Sequence, residues 1–134
     1  MSAANKAVIA RIYSEVSRGN LSIIEELLTP DFVEREVTPD LPPTRAGVRQ
    51  MFEGMRTAFP DFQIHAEDII AEGEKVFVRA AIRGTQRGPF MGVPASGKQI
   101  NIIVADFFRL SQGKIVEHWG VADTGSMLKQ LGTA

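Results

Sequence analysis

The apolar residues of this chain change their period once, at Pro60-Asp61. Before that break they recur every three to four residues, and after it every second residue. The first spacing marks a helix that buries one stripe, and the second marks a strand that buries one face. A chain that makes this switch once, helices first and strands after, is constrained to an α+β domain. Its helices must pack on one face of an antiparallel sheet.

Val8, Ile9, Ile12, Tyr13 and Val16 share one stripe of a helix predicted over Ser2–Arg18, which Gly19-Asn20 closes through a left-handed turn. A shorter helix is predicted over Leu21–Leu28, with Ile24, Leu27 and Leu28 apolar, and Thr29-Pro30 stops it. Residues 31–37 are short and mixed, and Pro39, Pro42 and Pro43 make a loop. Thr44 is the expected N-cap of a helix over Arg45–Ala58, with Val48, Met51, Phe52, Met55 and Phe59 inward.

Past the break, Phe62–Ala71 alternates weakly and Glu72-Gly73-Glu74 reads as a hairpin turn. Lys75–Gln86 sets Val76, Val78, Ala80 and Ile82 opposite Phe77, Arg79, Ala81 and Arg83. Gly88–Gly97 is a Pro/Gly-rich loop with an apolar tip at Phe90-Met91. Strands follow over Lys98–Leu110 and Lys114–Val121, joined by Gln112-Gly113, and Asp123 opens a short amphipathic tail.

Composition narrows the function classes. A single domain is expected over 1–134, with 44% hydrophobic and 23% charged residues. A net charge of −1 and dispersed Lys and Arg argue against nucleic acid and anionic membranes as partners. With no cysteine there is no disulfide framework, thiolate site or cysteine nucleophile. Residues 1–10 lack the apolar run of a secretory signal, and no segment reaches about 20 apolar residues. The expectation is a soluble, cytoplasmic protein.

Ionisable residues inside apolar strands are the candidates for chemistry. Asp106 shares a face with Ile100, Ile102, Val104 and Phe108, and His118 shares one with Val116 and Gly120. Ile115, Glu117 and Trp119 take the opposite face. A carboxylate among aliphatic neighbours is a proton donor or acceptor near neutral pH; the alternative is a structural carboxylate held by Arg79 or Arg109. His118 is either a proton-handling residue or a satisfied core histidine. Asp123, directly before Thr124-Gly125-Ser126, suits a helix N-cap as well as a binding role. Tyr13 and Trp119 suit the core as well as a ligand platform, and Phe90-Met91 suits a lid or plain packing. Only one of Glu34 and Glu36 is expected to face inward. Two histidines without H-x-x-x-H or H-E-x-x-H spacing make no metal motif, and neither a phosphate loop nor a G-x-S-x-G elbow occurs.

Several short motifs in order resemble one family. They are Gly19-Asn20, Leu27-Leu28-x-Pro30-Asp31-Phe32-Val33, Phe59-Pro60-Asp61 and Phe90-x-Gly92-x-Pro94-x-Ser96-Gly97-Lys98. Asp106-x-x-Arg109, Gly113-Lys114-Ile115, Glu117-His118-Trp119, Asp123 and Leu128-x-Gln130-Leu131-Gly132 complete the set. Together they resemble SnoaL-like proteins, the polyketide-cyclase branch of the nuclear-transport-factor-2-like superfamily. The resemblance implies a cone: a strongly curved antiparallel sheet and three N-terminal helices around an apolar pocket, with a short C-terminal helix. It also implies dimers that pair through the outer sheet face.

Cyclases of this family close a ring by an intramolecular aldol reaction with no metal or organic cofactor. Their acid/base aspartate lies two residues beyond the last-strand histidine, where this chain has Gly120. A cyclase histidine on the long strand matches Asp106, and a polar residue after the first Pro-Asp-aromatic element matches Glu34. Many relatives carry an Asp-His pair where this chain reads Glu34-Arg35-Glu36, and the frequent histidine after Gly-Thr is Gln86. The resemblance implies a small, largely apolar, carbonyl-bearing ligand. Asp106, His118 and Glu34 are the expected proton handlers, and Tyr13, Phe52, Arg79, Phe90, Met91, Trp119 and Asp123 the expected binding residues. The alternatives are a non-catalytic binding module and an epoxide hydrolase, for which Asp106 with Arg79 forms part of the required set.

Overall fold

The computed structural model describes residues 2–132. Met1, Thr133 and Ala134, the ends of the single domain expected over 1–134, lie outside the described residues. Helix α1 (Ser2–Ser17) is followed by α2 (Ile23–Leu27), β1 (Leu28–Glu34) and α3 (Arg45–Ala58). Strands β2 (Gln63–Glu72), β3 (Lys75–Thr85), β4 (Gln99–Ser111) and β5 (Lys114–Ala122) then lead to α4 (Thr124–Gln130). The five strands form one curved open sheet in the order β1-β5-β4-β3-β2, the α+β architecture expected. Its β2–β3, β3–β4 and β4–β5 pairings are antiparallel, and β1 joins the edge parallel to β5.

Strand β1 departs from the sequence reading, which stopped a helix at Thr29-Pro30 and left residues 31–37 mixed. The helix is shorter, and the chain passes directly from it into the strand. Pro30 is tolerated because β1 is an edge strand whose pairing is irregular between Leu28 and Val33.

Local chemistry sets the element ends. Gly19 adopts φ +86° after α1, and both turn residues between β4 and β5, Gln112 and Gly113, have positive φ, as a primed two-residue hairpin requires. Thr44 caps α3 by accepting from Gly47 N at 3.3 Å.

The core lies between the helices and the inner face of the sheet. Ile9, Ile12 and Val16 of α1 meet Val76, Val78 and Ala80 of β3 and Ile100, Ile102 and Val104 of β4. Alternation along β4 places Asp106 and Phe108 on this inner face. Along β5 a bulge interrupts the alternation, because Leu110 pairs with Ile115 while Arg109 pairs with Glu117. Ile115 therefore joins the core instead of sharing the outer face with Glu117 and Trp119. Among the described residues, no helix is long and apolar enough to cross a membrane.

Candidate functional site

Asp106 on β4 and His118 on β5 project from the inner face of neighbouring strands. Glu34 stands at the end of β1, directly opposite His118 in the sheet register. The result is a chain of hydrogen bonds across three strands. His118 Nε2 lies 2.8 Å from Asp106 Oδ1, and Nδ1 lies 2.5 Å from Glu34 Oε2. From α1, the Tyr13 hydroxyl donates to the other Asp106 oxygen, Oδ2. Glu34 Oε2 also accepts from Glu36 N at 3.0 Å. The His118 ring packs at 4.9 Å from Phe108, and its side chain is 13% exposed.

This arrangement decides the charge on the imidazole. Burial alone would push the His118 pKa down. Hydrogen bonds to Asp106 and Glu34, with the charges of the same carboxylates, outweigh burial and hold it up at about 10. At neutral pH the ring is therefore an imidazolium, and both nitrogens donate. Tyr13 is pushed far above the ordinary phenol value by burial, then by the Asp106 charge and hydrogen bond. It remains a donor at any physiological pH.

A cavity of about 100 Å³ opens beside His118. Glu34, Glu36 and His118 form its polar end, and Leu41, Pro42, Val48 and Met51 are among its apolar walls. Residues 35–43 cross over it as a strap. Glu34 N donates to Pro43 O, Arg35 N donates to His118 O, and Arg35 Nε donates to Glu117 on β5. At the far end the strap seats against the first turn of α3, where Pro42 O leaves no space for a side chain at Gly47.

Glu34 and Glu36 both line the cavity, a correction to the expectation that only one would face inward. Positions i and i+2 fall on the same side of an extended chain, and the strap folds residue 36 back towards His118. Burial pushes the Glu36 pKa up; His118 opposes this, and the charges of Asp106 and Glu34 add to it, leaving it raised. Among the described residues, no hydrogen-bond donor reaches its carboxylate. Residue spacing gave one signal for it, the Glu-x-Glu pair at 34 and 36.

Other expected site residues lie elsewhere. Arg79 and Trp119 point to the outer face of the sheet, Arg79 paired with Asp68 and Trp119 under the Lys75 ammonium. Asp106 is thus held by Tyr13 and His118 and not by Arg79 or Arg109, and the partial Asp-Arg set of an epoxide hydrolase is not assembled. Arg109 instead pairs with Glu117. Phe52 packs edge-on against Phe62, and Phe90 against Phe59. Met91 is exposed at the loop tip. Asp123 caps α4, accepting from Ser126 N at 3.1 Å and Ser126 Oγ at 2.7 Å. Gln86 is fully buried and holds the 88–97 loop through Val93 O and Ser96.

Glu34, Glu36 and His118 bring oxygen and nitrogen atoms within 4.8 Å of one another, a spacing that a cation could span. The same imidazole nitrogens are hydrogen-bonded to Glu34 and Asp106, so a cation here would have to displace those contacts.

The model of the SnoaL-like polyketide cyclase family matches residues 7–131. The chain belongs to that family. Among solved structures of similar proteins, IdmH from Streptomyces antibioticus, "a putative polyketide cyclase", is 32% identical with a TM-score of 0.85. The match covers 96% of this chain and 98% of IdmH. AclR from Streptomyces galilaeus, "a putative hydroxylase", is 31% identical with a TM-score of 0.90, over 100% of this chain and 99% of AclR. TsrD from Streptomyces laurentii shares the fold at 23% identity and a TM-score of 0.90, over 98% of this chain and 97% of TsrD. No curated protein sequence matches the chain. In this SnoaL-like protein the Asp106–His118 face is shared with Glu34 at the end of β1 and Glu36 of the strap.

Proposed function

We propose that this SnoaL-like protein binds a small, largely apolar carbonyl compound beside His118 and moves a proton on it, as an aldol cyclase or isomerase does. No metal or organic cofactor takes part in this reading. The observation that carries it is the imidazole of His118, hydrogen-bonded between Asp106 and Glu34 at the polar end of an otherwise apolar cavity. Removing a proton next to a carbonyl pushes negative charge onto its oxygen. A His118 N–H that turns from Glu34 to the carbonyl oxygen would stabilise that charge, and the surrounding hydrocarbon strengthens the effect. Tyr13 and Asp106 keep the ring oriented. At about 100 Å³ the cavity favours compact ligands over large polycycles.

The test is deuterium incorporation into 2-indanone, a small C–H-acidic ketone, by EDTA-treated protein in D2O. Wild type accelerates exchange, and His118→Gln and Asp106→Asn each reduce it. Equal exchange by all three proteins removes the assignment. A non-catalytic binding module is the competing reading, favoured by the absence of a carboxylate at position 120; it requires thermal stabilisation by 2-indanone without exchange.

A homodimer belongs to the same proposal. Ile103, Phe107, Trp119 and Val121 are exposed together on the outer face of β4 and β5, and pairing there would bury an apolar surface that water otherwise covers.

A further inference from the structure

We infer that Glu36 is the catalytic base of this site, seated in the space that β5 leaves empty at Gly120. The inference rests on the proton-transfer reading above and names the group that touches the reacting carbon. Three observations lead to it. Gly120 pairs with Asp106 across the sheet and faces inward. A Cβ placed there would overlap Glu36 Oε1 and come within 2.8 Å of His118 Cε1 and 2.9 Å of Asp106 Oδ1. The backbone of β5 thus yields its place at the site to a side chain from another element.

The second observation concerns which carboxylate is unengaged. Both Asp106 oxygens accept hydrogen bonds, from Tyr13 and His118, and Glu34 Oε2 accepts from His118 and from Glu36 N. These oxygens are turned towards their donors and not towards the cavity's ligand space. Glu36 lines the same cavity with no donor on its oxygens among the described residues. Third, its surroundings favour proton uptake. Burial and the negative charges of Asp106 and Glu34 raise its pKa against the opposing pull of His118. A base suited to neutral pH has a pKa lifted towards that pH.

In the step assigned to it, Glu36 takes the proton from the carbon beside the ligand carbonyl. The C–H electron pair becomes the C=C bond of an enolate, and the carbonyl π pair moves onto oxygen. One His118 N–H, turning from Glu34 to the enolate oxygen, offsets that charge, and the proton returns from Glu36 to carbon when the enolate collapses or attacks.

The experiment is 2-indanone exchange in D2O by wild type, Glu36→Gln, Glu36→Ala and His118→Gln, each read across pH. The rate falls about a hundredfold or more in Glu36→Gln. The rising limb of the wild-type pH profile disappears with it. Added formate, which fits the space vacated in Glu36→Ala, restores exchange in a saturable manner, a response that a merely structural role would not give. Exchange that persists in Glu36→Gln but is lost in His118→Gln overturns the assignment of Glu36 alone. Loss in Glu36→Gln without rescue by formate in folded Glu36→Ala also overturns it. Absence of exchange by wild type overturns the proton-transfer reading and this inference with it.

Discussion

Raising the pH should destabilise this protein through a single side chain. His118 has an ordinary pKa of 6.5 in the unfolded chain and about 10 in the folded one. Between those values the folded state binds a proton that the unfolded state has released, so stability falls as pH rises. The contribution is fully present below pH 6.5 and gone once pH passes about 10. At about 1.4 kcal/mol per pKa unit, it reaches about 5 kcal/mol, a large share of a typical domain's stability. Urea unfolding of wild type and His118→Gln at intervals from pH 6 to 10 isolates it. The variant leaves Asp106 and Glu34 without their cation, so the gap between the two proteins is widest near pH 6.5 and narrows steadily above it. A gap that stays constant from pH 6.5 to 9.5 refutes the reasoning, because it means that His118 is neutral throughout. Should the variant not fold, the decline of wild-type stability over this range carries the same test.

Tyr13→Phe removes the donor to Asp106 Oδ2 and leaves that buried oxygen unpaired, which costs about 1–3 kcal/mol in urea unfolding at pH 7. Gly47→Ala gains helix propensity on α3, but its Cβ meets the carbonyl of Pro42. Displacing the strap outweighs that gain, so calorimetry records a net loss of about 1–3 kcal/mol. Phe107→Glu places a charge in the exposed outer patch and converts the proposed dimer to monomer in light scattering, whereas an unchanged mass removes that interface.

Periodicity made much of the fold legible. The switch at Pro60-Asp61 separates the helical part from β2–β5, and α1, α3 and the hairpins fall where turn and cap residues put them. Strand β1 was hidden because Pro30 reads as a breaker, and only its place at the sheet edge makes it acceptable. Ile115 was assigned to the wrong face because a bulge shifts parity without any mark in the sequence. The site divides in the same way. Alternation put Asp106 and His118 on apolar faces of adjacent strands. It also set Trp119 opposite His118 and Arg79 opposite Val78, and both lie outside. Glu36 was signalled only by its i+2 spacing from Glu34, since it lies past the end of β1, where the path of the strap decides what faces the cavity. The missing carboxylate at Gly120 looked like a loss of equipment; in three dimensions the same space holds the carboxylate of Glu36.

The charge of His118 supports both the proton-transfer reading and the place of Glu36 beside it. Nitrogen-15 NMR of the imidazole, followed from pH 6 to 11, measures that charge directly. Both ring nitrogens should carry protons through neutral pH and lose one only near pH 10. A ring that titrates near 6.5, with one bare nitrogen at pH 8, contradicts the account.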